Sequence, residues 1–282
     1  MAYYFDSILA TLTRLALKVK LKFYLAFTCP PLEYHPNTYL FRFGIPLVLK
    51  RTDRLFSTEA HALRFLNTAA PQLPIPRLID SFQIGNDTFT LMTKLSGRSL
   101  LDIDELPSER IALIAAEVLN VIYQLWSIPQ PLDMKGTVMA SASGHGLLHP
   151  SAYVYEMYDR FAGPFPSTLA CYATMTFSDI HSLAKERPEL VKPVVDDKVV
   201  WVHTDLRMQN ILIDDQGRLS GIVDWEDSGW YPRHWQLHVL RNPKPTCCGN
   251  WCLFWRDSFR FNDDVEEAYT ASSHKDMLAF FL

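Results

Sequence analysis

The residues with the clearest chemistry lie in one run: Trp201-Val202-His203-Thr204-Asp205-Leu206-Arg207-Met208-Gln209-Asn210, followed by the apolar Ile211-Leu212-Ile213. A turn of Asp214-Asp215-Gln216-Gly217 and a second apolar stretch from Leu219 to Asp224 complete the pattern. Two short strands flanking such a turn predict a hairpin, which returns Asn210 and Asp224 to the same end. Two converging oxygen donors suit Mg2+, a hard cation that fills its shell with waters and phosphate oxygens. Asp205, one loop earlier, supplies a separate carboxylate. Phosphoryl transfer to a hydroxyl needs such a group to orient the nucleophile and accept its proton. Arg207, two positions beyond Asp205, could reach a transferring phosphate and offset its charge, a solvated surface arginine being the alternative.

These groups need a scaffold. Tyr39 to Lys50 reads as two strands turning near Gly44, with Leu47, Val48 and Leu49 an apolar run. A helix is predicted from Ser57 to Leu66, with Ser57 or Thr58 as N-cap and Ala62, Phe65 and Leu66 on one face. Leu78 to Ile84 and Thr88 to Thr93 predict two more strands across a Gly85-Asn86-Asp87 turn, and Gly97 marks a bend. Beyond this strand-rich region, Ile111, Ile114, Ala115, Val118, Ile122 and Leu125 recur at helical spacing after Ser108 and predict a long helix ending before Pro129. Gln130 to Pro166, rich in Gly, Pro, Ser and aromatics, reads as an irregular insert of the kind in which substrates are chosen.

His203-x-Asp205-x4-Asn210 followed by Ile222-Val223-Asp224-Trp225-Glu226, with Gly229-Trp230-Tyr231-Pro232 beyond, resembles the catalytic loop and metal-binding aspartate of the aminoglycoside-phosphotransferase and choline kinase-like family, its fungal members in particular. The resemblance runs from about Tyr39 to Trp235. It implies an α+β, two-lobed protein-kinase-like fold with a small strand-rich N-lobe and a larger helical C-lobe. The implied division is an N-terminal helical segment over 1–38, the N-lobe over 39–96, and a C-lobe over 97–282 holding the catalytic loop and the insert. By position, Asp205 would be the catalytic aspartate, Asn210 and Asp224 the magnesium ligands, and His203 a structural element of the loop. Leu47-Val48-Leu49-Lys50 resembles the strand whose lysine holds the nucleotide phosphates, with Glu59 as its partner. Leu91 to Gly97 resembles the hinge, where backbone groups from Thr93 to Leu95 would meet the adenine edge.

The sequence departs from the protein-kinase pattern, lacking the Gly-x-Gly-x-x-Gly loop and an Ala-Pro-Glu segment, with Gly44 the one glycine expected near a phosphate-covering turn. Glu226 and Asp227 are candidates for contact with a polar or cationic substrate, against a solvated acidic pair.

Composition narrows the classes. The chain has 282 residues, a formal net charge of −4 and 48% hydrophobic residues, enough for a sizeable core and without a polybasic signature for nucleic acid. Five cysteines do not form a secreted disulfide framework and imply a reducing, cytoplasmic setting. Cys247, Cys248 and Cys252 cluster without zinc-finger spacing beside Trp251 and Trp255, which favours packing over metal binding. Ile8 to Phe27 is rich in Leu and Phe but interrupted by Arg14, Lys18, Lys20 and Lys22, which breaks a spanning segment and leaves a docked helix favoured over a cationic helix lying on a membrane. The function expected is an ATP-dependent, Mg2+-requiring kinase acting on a hydroxyl of a small molecule, with GTP as the alternative donor. A catalytically weak kinase-like binding module is the rival; a kinase of protein substrates lacks an activation segment, and a metal hydrolase using His203 and Asp205 lacks histidine ligands.

Overall fold

The computed structural model describes residues 2–31, 33, 35–103, 107–148, 161–176, 178–242 and 250–277, with side chains described from residue 9 onward in the first helix. The chain opens with α1 (Ala2–Ala26) and then forms β1 (Thr38–Leu40), β2 (Leu47–Thr52), α2 (Glu59–Ala69), β3 (Leu78–Ile84) and β4 (Asp87–Thr93). The four strands make one antiparallel sheet in the order β1-β2-β4-β3, with Leu47 opposite Thr93 and Lys50 opposite Thr90. Side chains alternate across a strand. Leu49 is therefore sealed on one face with Phe82, Phe89 and Leu91 under Leu17, Leu21 and Tyr24 of α1, while Val48 and Lys50 face the other way, toward α2.

Helix α1 thus docks on the sheet, as expected. Tyr24 Oη donates to Asp80 Oδ2 at 2.8 Å, and Lys20 pairs with the same carboxylate while its ammonium lies 4.8 Å from the Phe82 ring centre. Among the described residues no helix is long and apolar enough to cross a membrane. Thr58 is the N-cap of α2, with His61 Nδ1 2.8 Å from its hydroxyl.

The larger lobe follows the four-stranded sheet. Arg98–Ser99 (β5) joins β9 (Ile211–Ile213) and β10 (Leu219–Ile222) in a three-stranded sheet. Gly97 has φ +104°, and a β-carbon there would come within 2.4 Å of Ser220 Oγ and 2.5 Å of the Ile213 carbonyl oxygen. Gly97→Ala is accordingly expected to lower stability by about 1–3 kcal/mol, checked as a drop in melting temperature. An unchanged melting curve would mean that the two strands separate without cost.

Helix α3 (Ser108–Ser127) buries Ile111, Ile114, Ala115, Val118, Ile122 and Leu125, the periodic set of the sequence. Its core continues through Trp201, Trp225, Trp230, Trp251 and Trp255, all fully buried. The rest of the lobe comprises β6 (Leu147–Leu148), β7 (Phe161–Ala162), α4 (Thr168–Met175), α5 (Ile180–Glu186), α6 (Pro188–Val195), β8 (Val199–Val202), β11 (Gly229–Pro232), α7 (His234–Arg241), α8 (Asn250–Leu253) and α9 (Asp263–Ser272).

Where it is described, the insert is irregular in secondary structure yet partly packed into the core. Val138, Met139, Ala140 and Leu147 are fully buried, and single bridges join Val138 to Phe165 and Ala140 to Trp230. Cys252 is buried in the core beside Trp251; Cys247 and Cys248 lie outside the described residues.

Candidate active site

Strand β8 delivers the chain to His203, and the loop from His203 to Asn210 closes with a 3-10 turn before β9. The buried imidazole of His203 organises this loop. Its Nδ1 accepts the Asp205 N–H at 3.2 Å, so the proton sits on Nε2, which donates to the Val223 carbonyl at 3.1 Å. Its ring meets Trp225 edge-on at 4.6 Å, and burial pushes its pKa below the usual imidazole range. A neutral histidine bonded at both nitrogens ties the strand preceding Asp205 to the residue preceding Asp224.

The hairpin forms as predicted. Asp214 Oδ1 accepts the N–H groups of Gln216 and Arg218 at 2.9 Å each, closing the turn, and Ile222 lies opposite Ile211. Val223 N–H then donates to the Asn210 carbonyl at 3.0 Å, bringing Asn210 and Asp224 to one end. Asp224 has φ +67°, a left-handed conformation that aspartate tolerates better than most residues and that re-aims its side chain at the cleft.

Asp205 is held on both oxygens. Arg207 Nε lies 3.0 Å from Oδ1, while Asn210 Nδ2 donates to Oδ2 at 2.7 Å and to the Asp205 carbonyl at 2.8 Å. Gln209 Nε2 adds a longer contact to Oδ2 at 3.4 Å. Burial pushes the Asp205 carboxyl above the ordinary aspartate range even against the pull of Arg207. Such a shift suits a group that must accept a proton.

Lys50 joins this group from the first lobe. Its ammonium lies 2.5 Å from Asp224 Oδ1, 3.2 Å from Glu59 Oε2 and 3.5 Å from Glu226 Oε2. Burial would lower its pKa, but Glu59, Asp224 and Glu226 together raise it, so the side chain is a permanent cation. For Asp224, burial acts upward and Lys50 outweighs it, leaving the carboxyl below the usual range. Glu59 also accepts the Trp225 N–H at 3.1 Å, so α2 is fixed directly to the residue after Asp224.

Glu226 and Asp227 are not a solvated pair. Arg54 donates from Nη1 to Asp227 Oδ1 at 2.6 Å and lies 3.6 Å from Glu226, while burial raises Asp227 to about 6 in spite of that arginine. Arg54 is the main site residue without a sequence signal, since nothing in its spacing points to a partner 173 positions away. Ser57, buried with φ +50°, adds a further tie between the lobes by donating to the Gly146 carbonyl at 2.5 Å.

The expected hinge residues lie at the end of β4. Thr93 N–H donates to the Arg77 carbonyl at 2.9 Å and Lys94 N–H to the Pro46 carbonyl at 2.8 Å, while the Leu95 side chain lies against Gly221. A cleft of about 450 Å³ opens beside Lys50, lined also by Asn37, Arg54, Asp87, Leu148 and Glu226.

Oxygen donors suited to a hard cation are therefore present in Asn210 and Asp224. Among the described residues no group of three or more His, Cys, Asp or Glu is arranged to hold a metal, so such an ion would depend on phosphate and water for most of its shell.

A model of the phosphotransferase enzyme family, APH, matches residues 33–277. Among curated proteins, the clavilactone A biosynthesis cluster protein Y of Ampulloclitocybe clavipes is 26% identical over 208 residues, a stretch covering 63% of this chain and 50% of that protein. The chain thus spans about half the length of the curated relative it matches. Among solved structures, the gentamicin complex of APH(2")-IIa aligns with a TM-score of 0.50 at 16% identity, covering 83% of this chain and 76% of the other. Aminoglycoside-3'-phosphotransferase of type VIII aligns at 0.48 and 16% identity over 83% and 87% of the two chains. At 16% identity the likeness to APH(2")-IIa is one of fold.

Proposed function

Because the chain belongs to the phosphotransferase enzyme family, we propose that it moves the terminal phosphate of ATP to a hydroxyl group of a small molecule. The observation carrying this reading is the convergence of Lys50, paired to both Glu59 and Asp224, with Asp205 and Asn210 one hydrogen bond apart. In this reading Lys50, positioned by Glu59, holds the nucleotide phosphates. Asn210, whose amide nitrogen is spent on Asp205, and Asp224 would hold Mg2+ through oxygen. The ion would neutralise charge on the phosphates. Asp205 orients the acceptor hydroxyl and takes its proton, and Arg207, 3.0 Å from it, offsets charge on the phosphate in transfer. The adenine would lie against the Thr93–Leu95 segment, where Leu95 has to supply the backbone donor because the N–H groups of Thr93 and Lys94 are taken.

That commitment also favours a second reading, a kinase-like binding module without turnover. Nucleotide binding separates the two. With ATP or GTP and Mg2+ at millimolar concentration, the wild-type melting temperature is expected to rise, and Asp224→Ala is expected to abolish the metal-dependent part of the rise. No rise with either nucleotide would sink the kinase reading.

A further inference from the structure

Helix α1 has a second face that the fold leaves uncovered. Leu9, Leu12, Leu15, Val19 and Phe23 are 57–62% exposed, and Phe27 just past the helix end is 38% exposed. Positions 12, 15, 19 and 23 advance by three and four and so form one continuous stripe. The opposite side, through Leu17, Leu21 and Tyr24, is the one packed on the sheet. Docking on the domain therefore uses one face of the helix and presents the other to the outside.

The charges beside the stripe narrow what covers it. Arg14, Lys18 and Lys22 recur every four residues along one edge and are all exposed. Lys20 lies beyond the other edge and pairs with Asp80. From Ser7 to Pro31 the sequence holds no acidic residue, in a chain whose formal net charge is −4. A second copy laid against the stripe would bring basic edges together with no carboxylate between Ser7 and the end of the helix to pair with them. An anionic lipid surface meets both features at once: the apolar stripe enters the acyl boundary while the basic ridge rests among the headgroups.

We propose that α1 is an interfacial helix that seats the protein on an anionic bilayer, with the kinase-like lobes held on the aqueous side by the docked face. This inference is independent of the phosphotransfer reading. Four basic side chains interrupt the helix, so it lies along the surface and does not span it.

The test is co-sedimentation of the full chain with vesicles of phosphatidylcholine alone or of phosphatidylcholine with 30% phosphatidylserine. Binding is expected on the phosphatidylserine vesicles, falling as salt rises from 0.1 to 0.5 M. Lys18→Gln with Lys22→Gln removes two headgroup contacts and is expected to weaken binding roughly 30-fold. Leu15→Glu with Val19→Glu, both on the exposed stripe, is expected to abolish it while leaving the melting temperature within a few degrees of wild type. The proposal fails if the chain does not sediment with phosphatidylserine vesicles or if the stripe variant binds as well as wild type. It also fails if sedimentation equilibrium finds a dimer that the stripe variant dissociates, since the stripe would then be a self-interface.

Discussion

Asp205→Asn is expected to cut phosphate transfer by roughly 100- to 10,000-fold while leaving Mg2+-dependent nucleotide binding nearly intact. The substitution keeps the shape of the side chain, and an amide at this position retains an oxygen for the hydrogen bond from Asn210, now made at 2.7 Å to Oδ2. It removes the charge that accepts the hydroxyl proton and the partner of Arg207 at 3.0 Å. Transfer would be followed as ADP release in the presence of a panel of polyol and amino-alcohol acceptors, with nucleotide binding followed separately by thermal shift. If the Asp205→Asn protein turned over like wild type, Asp205 would be removed from the chemistry. If the nucleotide-induced shift vanished along with transfer, the residue would instead be a structural support of the loop, since the effect would then precede proton transfer.

The elements around Asp205 were legible because each carries a strong local period or turn code. The hairpin shows two apolar strands about an Asp-Asp-Gln-Gly turn, and α3 shows six apolar positions at helical spacing, all six buried. The pairing of Lys50 with Glu59 was inferred from resemblance, and alternation along β2 explains why it forms: burying Leu49 on one face turns Lys50 to the other. What could not be read has a different physics. Acidic residues look alike in sequence whether solvated or neutralised, and Glu226 and Asp227 needed Arg54, far away in the chain, to distinguish the cases. In the insert, Val138 and Ala140 are held by single bridges and Leu147 by a two-residue strand, ladders too short to imprint a period of two. The segment after Arg241 was likewise opaque, although the family match extends to residue 277. Where it is described, a buried ion pair with no repeated pattern behind it ties this segment to α7.

That pair predicts the largest loss of stability. Arg241, at the end of α7, donates from Nη1 to Glu266 Oε2 and from Nη2 to Glu266 Oε1, both at 2.7 Å. Its Nε and Nη2 also donate to the Trp255 and Phe259 carbonyls at 2.9 and 3.1 Å, and Glu266 Oε1 accepts the Phe261 N–H at 2.7 Å. One guanidinium thus satisfies the Trp255 carbonyl in a helical turn, the Phe259 carbonyl just past that turn and a carboxylate on α9. Arg241→Met keeps much of the packing but leaves Glu266 charged and buried without its bonded cation, at an expected cost of about 3–5 kcal/mol. The corresponding fall in melting temperature is roughly 10 °C or more. The pH dependence separates this cause from simple loss of packing. In the wild type, burial pushes the Glu266 carboxyl up, but its hydrogen bonds to Arg241 and Phe261 outweigh burial and hold it below its reference value of 4.5. The stabilisation from this group is therefore complete above that value and is lost as pH falls through the lower folded pKa. In the variant, Glu266 can escape its penalty by taking up a proton, so the gap between variant and wild type should narrow as the pH is lowered toward 4. Equal destabilisation at pH 7 and pH 4 would show that Arg241 acts through its packing and its carbonyl contacts, and not through the charge of Glu266. Replacing Glu266 by Gln in the Arg241→Met background should then recover part of the loss at pH 7, because a neutral amide in the same place still accepts the Phe261 N–H without carrying an unpaired charge.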